Sequence, residues 1–190
     1  MATNVRGEQR RELLLNAAVR VVAGGGAGAL THRAVASTAG VSHASVTYHY
    51  PSIADLRRAT LTFAANKVGP EFAASLSCNE GGTAVLEDLV SRWRQIGLNH
   101  REEFVTLFAL LIEALYDEDL RADVDGLFAQ PTQALVDEGV PLPAAETIIG
   151  SLIGSALIAL ARSEPDEALG RFDAGVVTLL DAMRNGLSHE

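Results

Sequence analysis

The sequence predicts an all-α protein of about nine helices: a three-helix head, a long fourth helix, and a helical body. Three observations predict it. Only six prolines fall in 190 residues, so long stretches are free of helix breakers. The chain is rich in alanine and leucine, with little alternation of β-branched and polar residues. Apolar residues recur at helical spacing in one segment after another, separated by Gly, Pro and Asn turn signals. An apolar fraction of 48% is enough to bury a substantial core, which argues against disorder.

The elements follow in order. Met1 to Gly7 reads as a loose arm ending near Arg6. A first helix opens at Arg10 and Arg11 and carries Leu13, Leu14, Ala17, Ala18, Val21 and Val22 as one stripe. It ends in the glycine-rich run AGGGAGA, residues 23–29. No strand precedes that run and no Lys-Ser or Lys-Thr follows, so it reads as a helix end and loop rather than a phosphate cradle.

Thr31 to Tyr50, THRAVASTAGVSHASVTYHY, is the stretch around which the head is organised. Thr31 is a good N-cap for a helix carrying Ala34, Val35, Thr38 and Ala39 at helical spacing. Gly40 can end that helix in a left-handed conformation. Val41 plugs inward, and Ser42 caps a second helix with Val46 inside and Ser45, Thr47, Tyr48 and His49 outside. Ala36, Gly40 and Val46 are spaced as two crossing helices require. The pattern reads as a helix-turn-helix presenting its second helix to a DNA major groove; an ordinary αα-hairpin is the alternative.

Charge favours the first reading. The chain carries a net charge of −9, yet residues 1–58 hold seven basic residues against three acidic ones, and the remainder eight against twenty-one. A basic head on an acidic body binds phosphate locally while the body stays in solution.

A fourth helix starts after Pro51, with Ser52 as N-cap and Asp55 closing a capping box. It is expected to reach about Ser77 with a kink or break at Gly69-Pro70. The division is therefore a head over 1–50, a connecting helix over 51–77 and a body over 78–190. In the body, helices are expected over about 83–98, 101–116, 118–137 (bent or split by Pro131), 144–162, and from Pro165 to near Gly186. The helix over 101–116 is apolar nearly all round, which suits the centre of a bundle.

Residues 147–161 form an apolar run of fifteen bounded by Glu146 and Arg162. A membrane span takes roughly 20 residues, so no membrane partner is expected. Gly150, Ser151, Gly154 and Ser155 suit a close helix contact instead. With Phe172, Val176, Val177, Leu179, Leu180 and Met183 of the last helix they predict a two-fold, four-helix dimer patch; internal core is the alternative.

No catalytic constellation appears, so the chain is not expected to be an enzyme. His32 and His43 lack metal-ligand spacing, and no metal or cofactor is expected. His100 reads as a polar end-cap. Cys78 has no second cysteine to pair with, and the N-terminus lacks the apolar segment of a signal peptide; a cytoplasmic location is expected. Trp93, Phe104, Phe108 and Tyr116 fall on adjacent helices and are candidates to line a pocket, with Gln95, His100 or Glu113 as polar anchor.

The first 65 or so residues resemble the DNA-binding head of TetR-type transcriptional regulators. The resemblance rests on the opening amphipathic helix, on LTHRAVASTAGVSHASVTYHYPS and on Leu56 of the fourth helix. It implies phosphate contacts at Thr31 and Arg33. Ser42, His43, Ala44 and Ser45 would form the start of the recognition helix, with Thr47, Tyr48 and His49 as groove and backbone contacts. Thr47 stands where the family often has tyrosine, and Ile53 where it often has lysine, leaving Arg57 or Arg58 to compensate. The resemblance further implies a homodimer through the last two helices, bound to double-stranded DNA and released by a small-molecule effector. A repressor is the expected form. An activator of the same architecture, or a helical ligand-sequestering protein whose head contacts protein, stands as the alternative.

Overall fold

The computed structural model describes residues 2–76, 95–97, 99–137, 139–162 and 178, and among them it is all-helical, with no strand. Eight α-helices are delimited: α1 Ala2–Gly25, α2 His32–Ala39, α3 His43–His49, α4 Ile53–Leu76, α5 Arg101–Glu113, α6 Glu118–Leu127, α7 Ala129–Asp137 and α8 Leu142–Leu160. The helices expected over most of 83–98 and after Pro165 lie outside the described residues, as do Trp93 and Cys78.

Two compact units divide the chain. The first comprises Met1–Lys67 with Glu102–Leu127, the second Val68–Arg101 with Phe128–Glu190. The head expected over 1–50 lies wholly within the first unit, which also takes in most of α4 and all but the first residue of α5, together with α6.

The first unit has two buried clusters. One gathers Leu14, Ala17, Ala18 and Val22 of α1, Leu30, Val35 and Ala36, Val46 of α3, Tyr50, and Leu56 of α4. The other joins Ala27, Leu61, Leu110, Ala114 and Leu120. Thr106, fully buried on α5, donates its hydroxyl to the Val19 carbonyl of α1 at 3.1 Å. A buried hydroxyl without a partner would be costly, and this bond satisfies it.

Several boundaries differ from expectation for physical reasons. Residues 2–7 are helical rather than a loose arm: they contain no proline, and a helix already nucleated extends more readily than it starts. At the other end of α1, Gly26 adopts φ 75°, and a short 3₁₀ turn, Ala27–Ala29, follows. A Cβ on Gly25 would stand 2.7 Å from that of Ala29, so this part of the glycine run is sterically required. Leu13, expected in the α1 stripe, is 39% exposed. In α2 the inward positions are Val35 and Ala36, while Thr38 faces solvent. Helix α4 continues through Pro70 without the break that Gly69-Pro70 invites; a proline removes only one N–H, and the remaining hydrogen bonds suffice. The 118–137 segment is split, but at Phe128, and Pro131 falls in the first turn of α7, where a missing N–H costs nothing.

In the second unit, α7 packs against α8. Ala145, Ile148, Ile149, Leu152, Ala156 and Ala159 form the buried face of α8. By length and composition alone this 19-residue helix would pass as a membrane span, but this buried face is that of a packed helix. Among the described residues no atom lies within 4 Å of where a Cβ would stand on Gly150 or Gly154, and Leu157 and Ile158 beside them are exposed.

Candidate nucleic-acid interface

Local chemistry builds the two short helices. The Thr31 hydroxyl accepts from the Ala34 amide at 3.1 Å, starting α2. Gly40 ends it at φ 66°, with the Val41 amide donating to the Ala36 carbonyl and the Gly40 amide to Ser37. That paired pattern is the Schellman close, and it needs a left-handed residue at Gly40. The Ser42 hydroxyl then accepts from the Ser45 amide at 3.2 Å and starts α3. Val46, fully buried, pins α3 to the core.

The outer face of α3 follows from that one anchor. His43 and Ala44 are exposed, Tyr48 is 82% exposed, and Ser45, Thr47 and His49 are half-buried. Tyr48 and His49 stack edge to face with centroids 5.1 Å apart. The Thr47 hydroxyl donates back along the helix to the His43 and Ala44 carbonyls, at 3.4 and 3.2 Å. Its proton is thus committed internally, and its oxygen lone pairs are what it can offer a partner. Thr31 and Arg33 are exposed at the start of α2. All nine head residues singled out in the sequence therefore lie on α2, on α3 or at their N-caps, and none is fully buried.

Four residues not assigned a site role from sequence also meet here. His32 reaches the Tyr50 carbonyl with Nε2 at 2.8 Å, and Tyr50 is buried at the end of α3. Desolvation holds the His49 imidazole below its ordinary pKa, and the nearby Arg11 and Arg10 charges push the same way. Arg10 and Arg11 of α1, both exposed, thus lie within electrostatic reach of the far end of α3. The proximity of α1 to α3 is tertiary, and no local sequence signal announces it.

At the start of α4 the capping box forms as expected. The Asp55 carboxylate accepts from the Ser52 hydroxyl at 2.7 Å and amide at 3.1 Å, while the Ser52 hydroxyl accepts from the Asp55 amide at 3.0 Å. These bonds, with the Arg58 charge adding to them, hold the Asp55 carboxyl below the usual carboxylate range. Neither arginine expected to replace the missing lysine charge is idle, however. Arg57 lies 3.6 Å from Glu113 and 3.9 Å from Asp117, and Arg58 forms a two-bond fork with Asp123. Both guanidiniums are already matched by carboxylates on α5, α6 and the turn between them. An open groove of about 590 Å³ runs past Arg11, His49, Tyr50, Asp55, Arg58 and Asp123.

The body candidates scatter. Phe104 and Phe108 are buried on α5, with centroids 6.1 Å apart. Tyr116 corrects expectation: α5 ends at Glu113, and Tyr116, in the turn beyond, is 86% exposed. Past the last helical turn, the periodicity that would carry it inward no longer applies. His100 lies 3.1 Å from Glu71, as a polar helix-junction residue can. Among the described residues, no three or more His, Cys, Asp or Glu side chains cluster so as to hold a metal ion.

A compact helical head that caps, pins and exposes a short second helix has the geometry of a DNA-binding regulator. Residues 14–60 match the family model described as bacterial regulatory proteins, tetR family. A solved member of the TetR family from Streptomyces coelicolor A3 is 28% identical, with a TM-score of 0.69 over 86% of this chain and 95% of that one. The multidrug binding protein EbrR, solved with ethidium, is also 28% identical, with a TM-score of 0.66 over 86% of this chain and 95% of that one. A transcriptional regulator from Rhodococcus sp. Rha1 shares the fold at 19% identity, with a TM-score of 0.71 over 90% of this chain and 96% of that one. No curated protein matched. The chain is thus similar to TetR-type transcriptional regulators, through the family match of its head, residues 14–60, and through a fold shared with solved members.

Proposed function

We propose that this protein is a homodimeric transcriptional repressor, working in the cytoplasm, that leaves a palindromic operator when a small molecule binds its body. The observation that carries the reading is α3 itself: Val46 is buried while His43, Ala44 and Tyr48 face solvent. Such a helix offers hydrogen-bonding and aromatic groups to base edges and phosphates. Thr31, Arg33 and Ser42 would hold the backbone; His43, Ala44, Ser45, Thr47, Tyr48 and His49 would meet the groove. Two copies, with recognition helices roughly 34–36 Å apart, would read successive major grooves. The open small-residue face of α8, with exposed Leu157 and Ile158, supports pairing through the last two helices.

The effector site is proposed around Phe104 and Phe108, without Tyr116. EbrR, whose structures hold ethidium and proflavin, is the precedent for a small-molecule site on this fold. A ligand that favours one of two states of the body must weaken DNA binding reciprocally.

Selection of bound duplexes from a genomic fragment library tests the reading. We expect an enriched palindrome whose affinity falls steeply with salt, and its loss in Tyr48→Ala and His49→Ala chains that remain dimeric. Enrichment of no duplex, or affinity indifferent to salt, would favour a sequestering protein.

A further inference from the structure

We propose that His32 is a positioning residue for the recognition helix, bracing both ends of α3 from the first turn of α2. The inference rests on the DNA-reading role of α3, and its structural half stands without it.

The geometry is specific. His32 Nε2 lies 2.8 Å from the Tyr50 carbonyl, the residue that closes α3. A carbonyl oxygen only accepts, so Nε2 carries the proton and donates; the contact itself assigns the ring nitrogen. The same ring packs edge to face on His43, the first residue of α3, with centroids 6.0 Å apart and planes at 63°. One side chain thus touches the opening and the closing residue of the helix.

That helix needs bracing. Seven residues are too few to be stable as an isolated helix in water. Val46, near its middle, is its buried anchor and Tyr50 is buried just past its far end, so the opening end at His43 has no buried residue to oppose a tilt. At about 1.5 Å per residue α3 is about 10 Å long, so a tilt of about 10° moves each end by about 1 Å. Base-edge hydrogen bonds do not survive displacements of that size intact. Phosphate attraction, being long-ranged, barely changes. The brace therefore governs sequence discrimination rather than overall DNA affinity.

Three variants test it. His32→Leu keeps bulk and removes the donor. His32→Gln places an amide N–H near the original Nε2. His32→Asn keeps an amide that is too short to reach. Binding is measured at one salt concentration to the duplex enriched by the wild-type chain and to an unrelated duplex of equal length. We expect H32L and H32N to lose about tenfold on the enriched duplex and less than about twofold on the unrelated one, with H32Q within about threefold of wild type. Amide hydrogen exchange on the full chain without DNA should be faster over residues 43–50 in H32L and H32N, and restored in H32Q. Equal losses on both duplexes, unchanged binding in H32L and H32N, or H32Q no better than H32N would overturn the proposal. If the wild type enriches no duplex, the DNA reading falls, while the exchange comparison still decides whether His32 braces α3.

Discussion

Arg58 and Asp123, sixty-five positions apart, meet in a fork: Nε to Oδ2 at 2.6 Å and Nη2 to Oδ1 at 3.0 Å. The fork sits on the groove that also holds His49 and Arg11. A basic residue at the start of α4 is thereby kept paired, although its position suits contact with a DNA backbone. Replacing Asp123 by alanine should release that charge. Sequence-independent DNA affinity should rise, and the plot of log K against log salt should steepen by about 0.9 for one more phosphate neutralised. An unchanged slope would mean that Arg58 does not face DNA.

Gly40 carries the turn between α2 and α3 at φ 66°. Among the described residues nothing lies within 4 Å of a Cβ built there, so the cost of a side chain is conformational rather than steric. Gly40→Ala should lower stability by about 1–2 kcal/mol, read by urea denaturation. Loss of the turn geometry should weaken operator binding as well.

Thr106 is fully buried and spends its hydroxyl proton on the Val19 carbonyl. Thr106→Val keeps the shape and deletes the donor. The expected loss is about 1 kcal/mol, the net worth of one buried hydrogen bond. Thermal unfolding should show it, and a change near zero would mean that the Val19 carbonyl is adequately paired within α1.

His49 should give the head a pH dependence with a definite sign. Burial first, then the Arg11 and Arg10 charges, depress its folded pKa; in the unfolded chain it titrates at about 6.5. As pH falls below that value, the unfolded chain takes up a proton that the folded chain resists. Stability from this group is therefore complete above about pH 6.5 and drains away as pH falls through the folded pKa. Urea titrations at about pH 7.5, 6.5 and 5.5 should show a shallower acid-side loss in His49→Gln than in wild type. Parallel curves would remove His49 from the account.

Legibility in the sequence tracked the range of the interaction. The caps at Thr31, Ser42 and Ser52, the corner at Gly40 and the inward Val46 are all visible locally, because each bond closes within a few residues. The extent of α1 was less legible, since a loose arm and a frayed helix share the same polar composition. Arg57 and Arg58 looked available from sequence, yet their carboxylate partners lie far along the chain. His32 gave no local sign of its role, because its acceptor is eighteen positions away.

By itself, then, the sequence determined the helical class, the capped two-helix pair and the basic head, through spacing, capping and charge that act over a turn or two. Tertiary structure decided which charges on that head remain open and what steadies its reading helix. Arg58 is closed by Asp123, the His49 pKa is lowered by burial and by the arginines of α1, and α3 is held at both ends by His32. The reason is physical: a cap is satisfied within its own turn, whereas an ion pair or a brace exists only once distant segments have been packed together.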